Sequence, residues 1–407
     1  MLSAAMLYMN MNNPLRIGIV GGGQLGKMLA MEAKRLSMRV NILDPSDDCP
    51  ASMLADELIV AGFDDAEAIE RLAGMSDVIT YEIELADADI LASLERKGYK
   101  VRPPAHALRI VQDKFMQKYA LNKSNIPVAE FFKVSSIDDL HSIARSIGYP
   151  IVLKVRKGGY DGRGNIVVKG YDDSNDKIVR FVDARGGWDS VYVERFIPFI
   201  KEVSVIVARS SRDEVVAYPV VENIHDDGIL DTTIVPARIP EGLAYKARRI
   251  AMDVIRALDG IGVFGVEMFI AKSNGKSMDG ECEDGYSILV NEVAPRVHNT
   301  GHYSIDACNI SQFEQHIRAI LDLPLIEPRM LCKAAVMINI LGNDSINGYY
   351  AIELEKVMRI DARIHIYGKR INKGRRKLGH ITLLGDDLDE LLRSAMHIKS
   401  ALRLVSV

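Results

Sequence analysis

The stretch that most constrains the fold runs from Ile151 to Val168, where two short β-branched segments flank a glycine-rich loop. Strand-forming residues on either side of clustered glycines predict a hairpin. This loop has more glycines than a tight turn needs. Glycines let backbone N–H groups converge on an anion. Lys154 lies on the first strand. The stretch therefore predicts a flap over phosphates, with a flexible charged hairpin as the alternative. The four glycines are Gly158, Gly159, Gly162 and Gly164.

Chain length and charge limit the classes of function. A chain of 407 residues predicts two or three domains, each with its own core. Because a protein that cradles nucleic acid normally carries a basic excess, the net charge of -4 predicts no nucleic-acid partner. No uninterrupted apolar run approaches the roughly 18–20 residues of a membrane helix, so we expect no membrane partner. The four scattered cysteines argue against a cysteine zinc site or disulfides and favour a reducing, cytoplasmic compartment.

The N-terminal part predicts a βαβ unit with a glycine turn. After an N-terminal extension (residues 1–14), a strand leads into Gly21-x-Gly23-x-x-Gly26 and a helix, and Asp44 ends the next strand. This spacing is typical of dinucleotide sites, but it also serves any helix N-terminus that approaches an anion closely. Glu82 ends a later strand, at the sheet edge where open α/β sheets bind ligands. A surface carboxylate is the alternative for Glu82.

The middle of the chain predicts helices and a connecting linker. Apolar residues from Leu108 to Tyr119 predict one amphipathic helix with Lys114 and Lys118 on its other faces. Residues 219–230 are predicted as a loop. After a strand at 191–194, the linker from Glu194 to Ile197 has the character of a segment that contacts adenine through its backbone, and a carboxylate there can accept from ribose hydroxyls.

Two predicted strands carry polar residues among apolar neighbours. Glu267 lies at the centre of strand 263–270, and Asn291 and Glu292 lie on strand 288–293. A carboxylate in such surroundings is costly unless it is paired or bound to a metal. Oxygen ligands of this kind suit Mg²⁺, which also coordinates phosphates. The strands therefore predict a magnesium site, with structural salt bridges as the alternative.

Two polar segments follow. Arg296, His298, Asn299 and His302 lie within seven residues, and an arginine can hold a carboxylate or phosphate through two hydrogen bonds. Residues 369–377 carry six basic residues in nine. In a mildly acidic chain, a loop that reaches one substrate phosphate fits this segment better than a nucleic-acid patch. Beyond Pro324 the composition predicts strands at 335–341, 362–366 and 380–384.

Taken together, these motifs resemble the ATP-grasp superfamily, and within it the 5-(carboxyamino)imidazole ribonucleotide synthetases, over roughly residues 15–400. The segments that carry the resemblance are G-G-G-Q-L-G, G-G-Y-D-G-R-G, E-N-I-H-x-D-G-I-L, N-E-x-A-P-R-V-H-N-x-G-H, S-Q-F-E-x-H and K-L-G-H. The resemblance implies an α/β and α+β fold with three domains. They are a Rossmann-like pre-ATP-grasp domain (15–109), a two-lobed ATP-grasp domain (110–325, mobile lid lobe about 128–195) and a small C-terminal β-rich domain (326–407).

The same resemblance implies an enzyme that carboxylates 5-aminoimidazole ribonucleotide. ATP phosphorylates bicarbonate to carboxyphosphate, which releases CO₂ for capture by the exocyclic amine of that nucleotide, in purine biosynthesis. The implied cofactors are ATP and Mg²⁺, and the implied state is a cytoplasmic homodimer. Some family members are fused to a carboxylase-mutase domain; since this chain ends at Val407, we expect a separate mutase to use the product.

The resemblance also implies roles for individual residues. Asp161 is the hypothetical acceptor of the amine proton. Glu267 and Glu292 would bind the metal. Bicarbonate and the aminoimidazole would be surrounded by Tyr160, Asp161, Arg163, Arg296, His298 and Asn299. Gln24, Leu25 and Glu82 would also face the aminoimidazole side of the substrate. The ribonucleotide phosphate would contact Lys369, Arg376 and Lys377. ATP would contact Lys114, Lys154, Gly159, Tyr160, Asp161, Gly162, Arg163, Gly164, Asn165, Glu194, Arg195, Phe196, Ile197, Glu202, His225, Asn291 and Glu292.

Two local departures and three rival functions accompany the resemblance. An extra arginine in Gly374-Arg375-Arg376-Lys377 leaves open which arginine reaches the phosphate, and the predicted hairpin at 272–286 is longer than typical. A formate-dependent glycinamide ribonucleotide transformylase would share the ATP residues but differ where R-V-H-N stands. An NAD-dependent oxidoreductase would rest on the first glycine turn and Asp44. A catalytically silent ATP-binding regulator would not need the intact lysines and carboxylates.

Overall fold

A computed structural model describes residues 12–159, 164–173, 175–272 and 285–407. Within them the chain begins with a four-stranded parallel sheet of order β3-β2-β1-β4. Three of its strands, 16–20, 39–44 and 78–81, are almost continuously buried, as expected of a parallel sheet covered on both faces, and the edge strand 57–60 is more exposed. The elements are β1 (Arg16–Val20), α1 (Gln24–Arg35), β2 (Arg39–Asp44), β3 (Glu57–Val60), α2 (Ala66–Gly74), β4 (Val78–Tyr81) and α3 (Ala88–Arg96).

The single amphipathic helix predicted around 108–119 is wrong, because the chain breaks at Asp113. Two helices form instead, α4 (Ala105–Gln112) and α5 (Lys114–Lys123). Asp113 is extended, and its carboxylate accepts from the N–H groups of Phe115 and Met116, which caps α5. The break changes which face of the second helix is buried.

A small antiparallel sheet follows, with the order β5-β8-β6-β7. Strands β6 and β7 pair as the predicted hairpin, with Lys154 opposite Asn165. Residues 160–163 of its loop lie outside the described residues. The elements are β5 (Phe131–Lys133), α6 (Ile137–Ile147), β6 (Ile151–Val155), β7 (Asn165–Val168), α7 (Asn175–Asp183) and β8 (Val191–Arg195).

The largest sheet has the order β14-β13-β9-β11-β12-β15-β19-β17, with β10 paired to β9. The strands of the C-terminal segment therefore extend the sheet that begins in the middle of the chain. The elements are β9 (Phe199–Arg209), β10 (Val215–Ala217), β11 (Val221–Asp226), β12 (Ile229–Val235), α8 (Glu241–Ala257), β13 (Gly262–Lys272), β14 (Tyr286–Ala294), α9 (Ser304–Ala307), α10 (Gln312–Ile320), β15 (Ala334–Leu341), β16 (Gly348–Glu353), β17 (Arg363–Ile366), β18 (Ile371–Asn372), β19 (Lys377–Gly385), α11 (Leu388–Ala401) and β20 (Arg403–Ser406).

Two sequence predictions differ from this sheet. The predicted loop at 219–230 is wrong: β11 and β12 are antiparallel strands. Their turn is Asp227-Gly228, both with positive φ, as a two-residue hairpin turn requires. The C-terminal segment contains the predicted strands and also α11, which buries Leu391, Ala395 and Ile398 against β15 and β19. No helix among the described residues is long and apolar enough to span a bilayer.

Buried His316 joins the first sheet to the largest one. Its Nε2 lies 2.8 Å from Thr80 Oγ1, and its Nδ1 accepts from the Val263 N–H at 3.0 Å. Burial lowers the pKa of His316 to about 3, so the ring is neutral in the folded protein. The unfolded chain, with a histidine pKa near 6.5, binds the proton more readily, and stability is therefore lost as the pH falls below about 6.5.

We expect His316 to contribute about 2 kcal/mol to the fall in unfolding free energy between pH 7.5 and pH 5. A His316→Gln variant should be less stable at pH 7.5 but should show a correspondingly smaller fall. Urea unfolding of both proteins at the two pH values measures this difference. His397→Gln, at an exposed position, is the matched control and should keep the wild-type fall. An undiminished fall in His316→Gln would contradict the assignment.

Candidate active site

A cavity of about 580 Å³ lies where the small sheet, the largest sheet and the first glycine turn meet. The structure brings most of the described candidate residues to this one place. Tyr160, Asp161, Gly162 and Arg163 lie outside the described residues, so their predicted roles stay predictions. The predicted residues that line the cavity are Gln24, Leu25, Lys114, Lys154, Gly159, Gly164, Asn165, Glu194, Arg195, Phe196, Ile197, Glu202, His225, Glu267, Asn291, Glu292, Arg296, His298, Asn299 and Lys377.

The base of the glycine hairpin leaves no room for side chains. Val155 N–H donates to Gly164 O at 2.9 Å, which brings the two ends of the loop together. A Cβ on Gly164 would lie 2.5 Å from Val155 Cγ2 and 3.0 Å from Gly159 Cα. Gly158 has a φ of +71°. Glycine is therefore required here because the two ends of the loop lie so close together, whether or not the loop is flexible.

Glu194 lies at the centre of a buried charge cluster. Its carboxylate accepts from the Tyr192 hydroxyl at 2.7 Å and lies 2.9 Å from Lys154 Nζ and 3.4 Å from Lys118 Nζ. Burial opposes its ionisation, but the two lysines outweigh burial and lower its pKa to about 2. Burial lowers the pKa of Lys118 to about 8 although Glu194 opposes the shift. The cluster fixes Glu194 as an anion and holds Lys154 at the cavity wall.

The predicted metal ligands face each other across two strands. Glu267 on β13 is the register partner of Glu292 on β14, next to a bulge. Lys114 Nζ donates to Glu292 Oε2 at 2.8 Å. Burial and the charge of Glu292 raise the pKa of Glu267 to about 7. Two carboxylates with one close lysine form an oxygen-rich donor set that fits Mg²⁺.

One end of the cavity is suited to a flat ring. Phe199 and Phe269 stack with centroids 4.5 Å apart and planes at 4°. Both line the cavity beside Ile197 and the apolar side chains of Val152 and Val167. The backbone of the 194–197 linker runs along this wall. An aromatic heterocycle such as adenine fits between these groups.

Glu202 and His225 lie on neighbouring strands near this end. His225 Nδ1 is 2.7 Å from Glu202 Oε2. Burial would lower the pKa of His225, but Glu202 outweighs burial and the net shift is upward. The pair presents a carboxylate edge on which hydroxyl groups can donate.

The other end of the cavity carries Arg296 and His298. Arg296 Nη2 lies 3.1 Å from Glu84 Oε1, and His298 Nε2 lies 3.6 Å from Glu267 Oε1. Burial and the positive charge of Arg296 hold the pKa of His298 well below its usual value, so the ring is neutral. Asn299 exchanges hydrogen bonds of 2.8 and 3.1 Å with Asn339. Its amide thus positions the loop as well as facing the cavity.

The first glycine turn already holds an internal carboxylate. Glu82 accepts from the N–H groups of Gly23 at 2.8 Å and Gly26 at 3.0 Å. Asp44 accepts from Gly22 N–H at 2.8 Å. The amides that a dinucleotide pyrophosphate would use are therefore occupied, which disfavours the NAD-dependent oxidoreductase. Glu82 is buried beneath the turn and does not line the cavity among the described residues.

The glycine-turn helix also contacts the segment that leads into the C-terminal basic loop. Lys27 Nζ donates to the backbone oxygens of Ile366 and Tyr367 at 3.1 and 3.0 Å. Burial and the charge of Arg376 lower the pKa of Lys369 to about 8, while Glu82 opposes the shift. Lys369 and Arg376 thus lie near the glycine turn, just beyond the residues that line the cavity.

Sequence reasoning missed four residues of the site. Lys118 was predicted on a polar face of one continuous helix, whereas it is buried on the second of two helices that the break at Asp113 separates. Glu84 lies two residues after Glu82, and its partner Arg296 is distant in sequence. Phe199 and Phe269 look like ordinary strand residues, and their stacking depends on the pairing of β9 with β13.

A two-lobed site of this kind, with a glycine hairpin over paired carboxylates and lysines, defines the ATP-grasp class of enzymes. The comparisons agree: an ATP-grasp domain family matches residues 119–313. A ribonucleotide synthetase preATP-grasp domain matches residues 15–112, and a phosphoribosylaminoimidazole carboxylase C-terminal domain matches residues 335–394.

Whole-chain comparisons are more specific. The N5-carboxyaminoimidazole ribonucleotide synthase of Staphylococcus saprophyticus is 39% identical over 92% of this chain and 94% of its own. A synthetase structure from Thermotoga maritima has 43% identity and a TM-score of 0.84 over 97% of this chain and 100% of that one. A synthase structure from Aspergillus clavatus, in complex with ADP and 5-aminoimidazole ribonucleotide, has 34% identity and a TM-score of 0.82 over 96% and 100%. The chain therefore belongs to the N5-carboxyaminoimidazole ribonucleotide synthase family of ATP-grasp ligases.

Proposed function

We propose that this chain couples ATP cleavage to the carboxylation of 5-aminoimidazole ribonucleotide by bicarbonate, through carboxyphosphate, in purine biosynthesis. The observation that carries the proposal is the single cavity that joins the nucleotide residues to the Arg296 and His298 end. Family membership supports the same reaction. The transformylase alternative is disfavoured, because the relatives that match over nearly the whole chain are N5-carboxyaminoimidazole ribonucleotide synthases and phosphoribosylaminoimidazole carboxylases.

The nucleotide end performs the phosphoryl transfer. Adenine would lie by the Phe199–Phe269 stack, and Glu202 with His225 would accept from ribose hydroxyls. Lys114, Lys154 and the amides of the glycine hairpin would neutralise the transferring phosphate. Glu267 and Glu292 would hold Mg²⁺, which supplies charge neutralisation on phosphate oxygens when bound.

The opposite end would hold bicarbonate and the acceptor amine. Arg296 uses Nη2 near Glu84 and donates from Nη1 to Val297 O at 3.0 Å. A guanidinium has five N–H donors, so Arg296 can also bind the anionic bicarbonate. Neutral His298 can donate or accept one hydrogen bond without adding charge beside Glu267. Asp161 remains the predicted acceptor of the amine proton. Because the cavity is continuous, CO₂ released from carboxyphosphate would meet the amine without leaving the protein.

The phosphate of the ribonucleotide would lie at the basic loop. Lys369, Arg376 and Lys377 concentrate positive charge beside the glycine turn, where Gln24 and Leu25 line the cavity. Glu82, which was predicted to face the aminoimidazole, would act instead by fixing the glycine turn. On family resemblance we also propose a cytoplasmic homodimer whose product is consumed by a separate mutase.

The testing experiment is ADP release with Mg-ATP and bicarbonate, with and without 5-aminoimidazole ribonucleotide. We expect strong stimulation by that nucleotide and an acid-labile carboxylated product. Glycinamide ribonucleotide with formate is the matched control and should give no stimulation. Turnover only with the control pair would overturn the substrate but keep the fold and the nucleotide site.

A further inference from the structure

A second cluster of ligand-type side chains lies outside the cavity, between the C-terminal strands and the short helix α9. It consists of Asp306, His365 and His380, whose potential ligand atoms all lie within 4.8 Å of one another. His380, the last residue of the K-L-G-H segment, has no role in the proposed reaction. The two histidines lie on β17 and β19, the strands before and after the basic loop (residues 369–377).

The fold itself forces the two histidines together. His365 on β17 and His380 on β19 are direct register partners in an antiparallel pair, so their side chains project from the same face. Their rings stack with centroids 4.4 Å apart and planes at 11°. Asp306 approaches from α9, and its Oδ2 lies 2.8 Å from His365 Nε2. Two imidazoles and one carboxylate thus converge from three elements.

His380 points to a missing partner within this cluster. Its Nδ1 lies 2.9 Å from the Tyr367 hydroxyl. Its Nε2 is buried and has no hydrogen-bond partner among the described residues. A buried polar atom left unpaired costs about as much as a lost hydrogen bond, so a group that completes this atom would be favoured. If Nδ1–H donates to Tyr367, Nε2 carries the lone pair that a metal ion requires.

We propose that Asp306, His365 and His380 bind a divalent transition-metal ion of the zinc type. Two imidazole nitrogens and one carboxylate oxygen are a donor set that zinc uses with a fourth, open position. Mg²⁺ prefers oxygen ligands alone, so this site differs in kind from the Glu267 and Glu292 pair. A solvent-facing cavity of about 260 Å³ reaches Asp306 and His365, and provides an entry path and room for the fourth ligand.

A bound ion would tie two parts of the chain together. Helix α9 follows the polar loop that carries Arg296 and His298, and β17 and β19 lead into and out of the basic loop. The ion would therefore hold the basic loop, which would bind the substrate phosphate, against the loop that carries Arg296 and His298. We expect zinc to raise the midpoint of thermal unfolding of the full-length protein, because a ligand that binds only the folded state stabilises it.

The test is zinc binding to chelator-treated full-length protein, in excess Mg²⁺ and ADP so that the Glu267 and Glu292 pair is occupied. We expect elemental analysis to find one tightly bound zinc ion per chain. When Co²⁺ replaces zinc, we expect the visible absorption bands of a Co²⁺ ion with a low coordination number. His380→Gln and Asp306→Asn should each weaken zinc binding at least about a hundredfold. Tyr367→Phe should weaken it about ten- to a hundredfold, because the hydroxyl that orients the His380 ring is lost.

His397→Gln, an exposed histidine of the same C-terminal segment, is the matched control and should bind zinc like the wild type. Circular dichroism shows whether a variant that does not bind zinc is still folded. Asp306→Asn keeps the shape of a side chain near the surface. Folded wild-type protein that takes up no zinc at micromolar concentration would overturn the proposal. Unchanged binding in both His380→Gln and Asp306→Asn would overturn it equally. Neither outcome depends on carboxylation activity, so the two proposals fail separately.

Discussion

Replacing Glu267 by glutamine should lower kcat/KM for ATP about a hundred- to a thousandfold while making the nucleotide-free protein more stable. The loss follows because Glu267 is one of two carboxylates that would hold Mg²⁺ against the phosphates. Removing one preorganised electrostatic group from an active site typically costs this much. The neutral amide keeps the shape of the side chain, so the loss reflects charge and ligation.

The gain in stability follows from the pKa of Glu267, which burial and the charge of Glu292 raise to about 7. The folded state thus binds a proton at Glu267 more tightly than the unfolded chain does. Ionised Glu267 therefore costs stability, and the cost grows as the pH rises from about 4.5 towards 7. At pH 8, without Mg²⁺, the glutamine variant should be more stable by about 1–3 kcal/mol. Near pH 4.5 the difference should vanish.

Glu222→Gln is the matched control, because Glu222 is a buried carboxylate of the same sheet that is already paired. Lys201 and Arg238 lie 2.8 and 2.5 Å from it, and their contacts outweigh burial and lower its pKa. Its replacement should destabilise the protein and leave turnover largely intact. Urea unfolding at pH 8 and pH 5, with initial rates, measures both effects. A Glu267→Gln enzyme with wild-type kcat/KM would contradict the metal assignment.

Sequence predicted the parts of the site whose chemistry is carried by local residue types. The glycine hairpin, with Lys154 on its first strand, follows from glycine and β-branched spacing alone. Glu267 and Glu292 were predicted as a pair because a carboxylate in an apolar strand needs a partner. The register of β13 and β14 places them opposite each other.

The parts that sequence did not predict depend on contacts distant in the chain or on a single helix break. Lys118 faces Glu194 only because Asp113 ends one helix and caps the next, which periodicity from Leu108 to Tyr119 does not reveal. Glu82 could be placed at a sheet edge, but its hydrogen bonds to the glycine turn depend on how β4 lies beside β1. The Asp227-Gly228 pair is a local signal for a hairpin turn, although residues 219–230 were predicted as a loop.

The second large effect concerns the basic loop, where Arg376→Ala should raise KM for 5-aminoimidazole ribonucleotide about 30- to 150-fold. A charge-assisted hydrogen bond to phosphate contributes about 2–3 kcal/mol, and each 1.4 kcal/mol is tenfold in affinity. Arg376 lies close enough to Lys369 to lower its pKa, so the two cations repel each other unless an anion lies between them. A phosphate dianion would remove that repulsion. The value of kcat should change little, because the phosphate is remote from the reacting amine.

Arg375→Ala is the matched control and decides between the two adjacent arginines. Arg375 Nη2 donates to the backbone oxygen of Asp226 and lies 3.0 Å from the carboxylate of the same residue. Its guanidinium is thus engaged with β11, and its loss should change KM less than about threefold, as is usual for an exposed ion pair. Initial rates over a range of ribonucleotide concentrations measure both variants. A large KM effect in Arg375→Ala with none in Arg376→Ala would assign the phosphate to the other arginine.

The pH dependence of KM gives an independent check on the same assignment. The pKa of Lys369 is about 8 in the nucleotide-free protein, mainly through burial and then through the charge of Arg376. In the wild type, KM for the ribonucleotide should therefore rise as the pH passes 8, because Lys369 loses the charge that attracts the phosphate. In Arg376→Ala the repulsion is gone, so the pKa of Lys369 rises and the increase in KM should move to higher pH. An unchanged pH profile in that variant would mean that Arg376 and Lys369 do not share one phosphate.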